Sequence, residues 1–303
     1  VKFGPVDTGV AAGAILAHTL RTGDSVFKKG KPLSAADCAA LAAAGYAQVV
    51  VARLDPDDAD ENAAAAAVAT ACAGDGVRVA EPFTGRSNVY ATERGVAVIR
   101  RYRIDAINAV DDSVTIATVA PLTLVSPDEM VATVKIIPFG VPRSVVAACA
   151  TEAVGAVGVA ALQRLDIGLV LTELPGARAA VLDRAAANMR TRATRLGSEV
   201  VAERRCHHDE AAVAATIAEL RGLGCSLIAI VGASAVVDRD DVVPRAVRAD
   251  GGTIERFGMP VDPGNLLVLA RRGDCTVVGV PGCARSLEPS GFGWVLQRLC
   301  AGI

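Results

Sequence analysis

The sequence predicts an α/β protein in two parts. Residues 146–303 form a three-layer α/β/α domain with a mostly parallel sheet and a connecting helix at its start, and residues 1–145 form a smaller β-rich α+β region. Three observations predict this. Beyond residue 165, apolar runs of strand length alternate with helix-length segments, as a parallel sheet covered on both faces requires. Between 77 and 138, valine and isoleucine come in short runs separated by Gly, Asp and Pro, which is the texture of a strand-rich region. The chain has 303 residues, 52% of them hydrophobic and 21% charged, which is enough for about two packed domains.

The elements follow in order. Ser34 starts an Ala-rich helix that Gly45 stops, and the apolar run Tyr46 to Arg53 reads as a strand. An acidic turn at Asp55 to Asp58 leads into a second helix over 61–73, ended by Gly74. Val96 to Ile99, Val114 to Val119 and Val131 to Ile137 read as strands, and Arg100, Arg101 and Arg103 alternate as along a solvated strand. Phe139 to Pro142 punctuates the chain, so the boundary is expected near 145, with the connecting helix running to about 165. Then come strand 167–172, helix 183–196, strand 198–203, helix 210–221, strand 226–231, helix 242–248 and the hairpin-like pair 266–270 and 276–280.

Composition narrows the function. Aromatic residues are only 3%, too few for base-stacking platforms, and 31 Lys and Arg against 33 Asp and Glu leave a formal charge of -2. Nucleic acid is therefore not an expected partner, and any anion must be caught locally. The eight cysteines are scattered with no Cys-x-x-Cys pair, and most sit among Ala, Val and Leu as small core residues in a reducing compartment. The most apolar stretch, Ser144 to Leu162, is interrupted by Glu152 and two glycines, short of the ~20 apolar residues of a membrane span. The opening Val-Lys-Phe-Gly-Pro has no apolar signal region, so the expectation is a soluble, cytoplasmic protein.

In parallel sheets, ligands gather at the carboxyl ends of the strands. Three loops there carry chemistry. The first is Thr172-Glu173-Leu174-Pro175-Gly176. In the second, Gly232, Ala233 and Ser234 let peptide N–H groups approach an anion, while Asp238 and Asp240, two apart, can hold a magnesium ion or position water. Equally open is the reading in which Asp240 or Asp241 caps the following helix and Asp238 is a solvated turn residue. The third is Pro281-Gly282-Cys283-Ala284-Arg285-Ser286, in which Arg285 and Ser286 add phosphate donors.

The run Gly232 to Asp241, then Gly251-Gly252, then Phe257 to Gly264, then Gly279-Val280-Pro281-Gly282 resembles the molybdopterin-binding domain of molybdopterin adenylyltransferase and molybdopterin molybdenumtransferase. The tail, with Gly-Cys-Ala-Arg-Ser and Trp-Val-Leu-Gln-Arg-Leu, resembles the molybdopterin-binding half associated with molybdenum cofactor cytidylyltransferase-like proteins. The resemblance spans about residues 165–290. It implies binding of molybdopterin or adenylylated molybdopterin, with Mg2+ and molybdate, and Asp238 and Asp240 as the catalytic and metal-binding pair. It places Thr172, Glu173, Asp183, Gly232, Ala233, Ser234, Asp241, Pro263, Gly264, Asn265, Pro281, Gly282, Cys283, Arg285 and Ser286 around the cofactor. It also implies a homo-oligomer and either molybdenumtransferase-like hydrolysis of the adenylylated form or a non-catalytic carrier serving a molybdoenzyme or nucleotidyltransferase partner. Four positions depart from the family pattern: Ala233 replaces a glycine, Ala235 a serine, Asn265 a lysine and Cys283 an asparagine. The lost lysine removes a positive charge and favours carriage over catalysis.

Other signals carry less. His207 and His208 point to opposite faces if they lie on a strand, and cannot readily share one ion. Gly232-Ala233-Ser234 lacks the closing glycine of a nucleophile elbow. Arg184, Arg192 and Arg195 read as the solvated face of a helix.

Overall fold

The computed structural model describes residues 1–23 and 25–303 and divides into two compact units, Val1–Ala161 and Leu162–Ile303. The first opens with β1 (Lys2–Asp7), β2 (Ile15–Leu16), the paired β3 (Leu20–Thr22) and β4 (Ser25–Phe27), α1 (Ala35–Ala43) and β5 (Gln48–Arg53). Next come β6 (Asp58–Asp60), α2 (Glu61–Cys72), β7 (Val77–Val79), β8 (Arg86–Ala91), β9 (Gly95–Ile99) and α3 (Arg101–Val110). β10 (Val114–Thr118), β11 (Leu124–Val125), β12 (Met130–Ile136), β13 (Gly140–Pro142), α4 (Arg143–Ala153) and β14 (Val157–Ala161) complete it.

β5 runs antiparallel between β1 and β2, and Leu16, Leu33, Leu41, Val49 and Val51 bury together beside it. α1 starts where Ser34 and Asp37 form a reciprocal cap: the Ser34 hydroxyl accepts the Asp37 N–H, and the Asp37 carboxylate accepts the Ser34 N–H. A separate sheet in the order β10-β12-β8-β7 covers a larger core with Val68, Val89, Ile107, Val134, Ile136 and Cys149.

Two expectations change here. The arginine-rich segment is helix α3, not a strand, because Ile104 and Ile107, three apart, bury on one face and leave the arginines around it. The division falls after Ala161, not at 145. α4 buries Val146, Cys149 and Ala153 in the first unit's core, and β14 pairs with β9, so no single helix connects the two units.

The second unit contains β15 (Asp166–Glu173), α5 (Ala179–Arg195), β16 (Glu199–His207), α6 (Glu210–Gly222) and β17 (Leu227–Val231). α7 (Val242–Ala249), β18 (Thr253–Phe257), β19 (Val268–Arg272), β20 (Cys275–Val280) and α8 (Gly291–Cys300) follow. The sheet order is β16-β15-β17-β20-β19-β18, with β16, β15, β17 and β20 parallel and β19 antiparallel to both of its neighbours. This is the mixed, mostly parallel α/β architecture expected. The core packs Val170, Ile228, Ile230 and Val277 of the strands against Val213, Ile217 and Leu220 of α6 and Val243 and Val247 of α7.

From β15 the chain moves to β16 on one side, then returns past β15 to β17 on the other. Right-handed crossovers in opposite directions put α5 and α6 on opposite faces. The change of direction opens a crevice outside the carboxyl ends of β15 and β17.

Candidate functional site at the strand ends

Three side-by-side strand ends are tied together at that crevice. Thr172, near the end of β15, is fully buried, and its hydroxyl oxygen accepts the N–H of Ala233, beyond β17, at 2.7 Å. The same oxygen lies 2.8 Å from Nδ1 of His208, beyond β16. The His208 N–H in turn donates to the carbonyl of Glu173 at 2.9 Å. Because Thr172 sits in the central strand of the three, one hydroxyl couples both neighbouring loops.

The loop after β17 curls tightly. A Cβ on Gly232 would stand 2.7 Å from the backbone oxygen of Ser234, so glycine is required there for space. The Gly232 carbonyl accepts Nη2 of Arg285 at 3.0 Å, which joins this loop to the turn after β20. That turn runs from the buried Pro281 through Gly282 and Cys283 to Arg285. The exposed Arg285 guanidinium thus stands at the strand ends with donors to spare.

Behind the turn, Arg192 of α5 donates to the carbonyls of Ser286 and Glu288. Arg192 is buried, not on a solvated face, and burial pulls its pKa below the usual arginine value. Asn188, one turn earlier on α5, donates to the Arg285 carbonyl.

The acidic residues serve their own loop. The Asp238 carboxylate accepts the Asp240 N–H at 2.8 Å, which is a local Asx turn. Asp240 pairs with Nη2 of Arg248 at 2.7 Å, with its side chain 82% exposed. Asp241 caps α7, accepting the N–H of Val242 at 2.7 Å and of Val237 at 3.1 Å. The capping reading is therefore realised by Asp241. Among the described residues, no three His, Cys, Asp or Glu side chains stand together as a metal site. Asp183 lies one turn inside α5, which begins at Ala179, and its carboxylate pairs with Arg205 at 2.6 Å.

The remaining motif packs beside this group. The loop between β18 and β19 leaves the same edge of the sheet, since β18 points the same way as β20. Its Asp262–Pro263 peptide is cis, the Pro263 carbonyl accepts the Gly291 N–H at 2.9 Å, and the Asn265 carbonyl accepts the Met259 N–H at 3.0 Å. Gly264 lies against the start of α8, where a Cβ would meet Gly291 at 2.9 Å. The Arg239 guanidinium lies 5.1 Å from the centre of the Phe257 ring, so the loop after β17 touches the end of β18.

The structure thus brings together Thr172, Glu173, Gly232, Ala233 and Arg285. Asp183, Asp240 and Asp241 instead bond to Arg205, Arg248 and the start of α7. In the sequence His208 reads only as half of an unworkable metal pair; its partner Thr172 lies 36 residues earlier and becomes a neighbour only through the parallel β15–β16 register.

Comparison with known proteins gives the following. A domain-family model described as a domain of unknown function (DUF8806) matches residues 5–53. No curated protein matches the chain. Among solved structures, a molybdopterin biosynthesis MoeA protein from Pyrococcus horikosii is similar at 12% identity, over 99% of this chain and 75% of that chain, with a TM-score of 0.35. A molybdenum cofactor biosynthesis protein from Pyrococcus furiosus is similar at 11% identity, over 99% of this chain and 64% of that chain, with a TM-score of 0.28. A putative molybdenum cofactor biosynthesis protein from Corynebacterium diphtheriae is similar at 13% identity, over 44% of this chain and 91% of that chain, with a TM-score of 0.25. Likenesses this distant add nothing to what the chain's own residues establish.

Proposed function

We propose that this chain binds an anionic pterin, molybdopterin or its adenylylated form, at the carboxyl ends of β15, β17 and β20, and acts in molybdenum cofactor biosynthesis. The observation that carries the reading is the hydrogen-bonded series from His208 through Thr172, Ala233 and Gly232 to Arg285. It links the resembling loops at one edge of the sheet, with a cation at its end. A phosphate there meets the Arg285 guanidinium and a tightly curled backbone that side chains do not obstruct.

Carriage is the form of this function that the side chains favour. Asp240 is engaged by Arg248, Asp238 by its own turn, and Asn265 supplies no charge. The enzymatic form needs Asp238 and Asp240 to take Mg2+ together with phosphate oxygens of the ligand, a sharing usual for that ion. Magnesium would supply charge neutralisation at the phosphoanhydride, and the chain's own part is to orient the phosphate and the two carboxylates. A partner molybdoenzyme or nucleotidyltransferase would then receive the pterin.

The test is incubation of the purified chain with adenylylated molybdopterin, molybdate and Mg2+, following both retention of the pterin and release of AMP. Retention without AMP release supports the carrier. Release abolished in Asp238→Asn and Asp240→Asn supports the enzyme. If the pterin is neither retained nor hydrolysed, the reading is wrong.

A further inference from the structure

We propose that the first unit holds a second ligand site, for a small organic monophosphate with a flat ring body, in a cavity of about 720 Å³ whose lysines are Lys29 and Lys135. The site lies wholly within residues 1–161 and is independent of the strand-end loops. Its volume falls in the ~300–1,000 Å³ range of small-molecule sites.

The lining has two characters. Ala17 and Ala52, 3% and 0% exposed, form small-residue floor that leaves the space open. Phe3 and Ile137 line the same cavity yet remain 64% and 61% exposed. Large apolar side chains that border a concavity without being covered are a surface that a flat apolar body can cover.

The cations come from separate elements. Lys29 follows β4, and its ammonium stands 5.6 Å from the centre of the Phe139 ring, which keeps it at the cavity wall. Lys135, in β12, donates to the Thr84 carbonyl at 2.6 Å. Among the described residues, no carboxylate comes within 4.0 Å of either ammonium. Glu61 borders the same wall: a Cβ on Gly85 would meet its Oε2 at 2.7 Å and Lys135 Nζ at 2.9 Å. That carboxylate is an acceptor for a ring amino group or sugar hydroxyl. Two lysine ammonium groups with no carboxylate within 4.0 Å among the described residues, against one carboxylate in the lining, leave the cavity cationic, and lysine binds phosphate as a point charge.

The backbone beside Lys135 is held in a demanding shape. Phe83 and Arg86 bridge across a two-residue turn in which Thr84 and Gly85 have φ of +48° and +70°. Such turns call for Asn-Gly, and a β-branched residue at positive φ is rare. Thr84 nonetheless occupies it and presents its carbonyl to Lys135. Backbone strain of this kind persists where the surroundings over-determine it, and it gathers at ligand sites.

The test is titration of the full chain with AMP, adenosine and inorganic phosphate, read by calorimetry and by amide chemical shifts. AMP should bind at least about tenfold more tightly than adenosine or phosphate alone, because only AMP fills both parts of the cavity. Shifts should concentrate at Thr84, Lys135, Ile137 and Phe139 of the unaltered protein. Lys29→Gln and Lys135→Gln should each weaken AMP by about tenfold, the loss of one charge-assisted contact. The proposal is overturned if AMP does not bind, if phosphate or adenosine binds as tightly, if the shifts fall in the loops after β15, β17 and β20 instead, or if folded glutamine variants bind AMP unchanged.

Discussion

Thr172 is the residue whose loss should be felt most widely at the strand ends, because one buried hydroxyl receives the Ala233 N–H and meets the His208 ring. Valine has the same shape but no oxygen. Thr172→Val leaves the half-buried Ala233 N–H without its partner, an expected cost of about 1 kcal/mol in urea unfolding. Thr172→Ser keeps the oxygen and should recover most of that, so a serine variant as unstable as the valine one would show that the hydroxyl is not what matters. Asp240 behaves oppositely. Its pair with Arg248 is exposed, so Asp240→Asn should change stability by no more than ~1 kcal/mol. Any larger loss of AMP release in that variant then reports on the chemistry and not on the fold. The role of His208 could not be read from the sequence, since a histidine after a strand shows no partner until the register sets it beside a threonine 36 residues away. The local roles, Asp241 as a cap and Asp238 in a turn, needed only neighbours within a few residues and were readable there.

At the scale of elements, the helices with strong ends were legible and those without were not. Ser34, Asp60 and Asp209 each accept N–H groups of the first turn, and α1, α2 and α6 begin directly after them. α3 begins at Arg101, after an Arg100 that makes no side-chain cap, and has only two buried anchors, so its charged residues imitate a strand. α4 was readable as a helix, but nothing in its own residues says which core takes Val146 and Cys149. The cap of α1 makes a pH prediction. The ammonium of Lys31, 2.6 Å away, and the Ser34 N–H hold the Asp37 carboxyl at about 2, below the usual aspartate range. A carboxyl depressed in the folded state stabilises at pH above its unfolded value and loses that contribution as pH falls through the folded one. Wild type should therefore be more stable than Asp37→Asn at neutral pH, and thermal melts should show the gap closing between pH 4 and pH 2. On α5, Arg192 spans two loop carbonyls. Arg192→Met should destabilise by about 1–3 kcal/mol through unpaired carbonyls, and Arg192→Lys should recover part of that loss, because a single nitrogen, Nη2, serves both carbonyls and an ammonium carries enough donors to do the same.

Across the whole molecule, the alternation of strands and helices was the most legible feature, because period and length suffice to call a βαβ series. The order β16-β15-β17-β20-β19-β18 was not legible, since apolar strands of similar composition carry no label for their neighbours. Cysteine placement follows the same logic and yields a prediction for the intact chain. A thiol among Ala and Val is a core residue whichever element it joins, and Cys38, Cys72, Cys149, Cys225, Cys275 and Cys300 are all buried. Burial pushes the Cys72 thiol up to about 12 and the Cys275 thiol up to about 11, so neither presents a thiolate near neutrality. Cys206 and Cys283 are half-buried, and burial also raises the Cys206 thiol. Cys283 stands in the turn that carries Arg285, and should therefore react first with a thiol reagent at pH 8, with Cys206 slower. The other six should become reactive only on unfolding in denaturant. Adding the strand-end ligand should slow Cys283 and leave Cys206 unchanged, whereas rapid modification of Cys72 or Cys275 in the native chain would mean that the two cores are not packed as described.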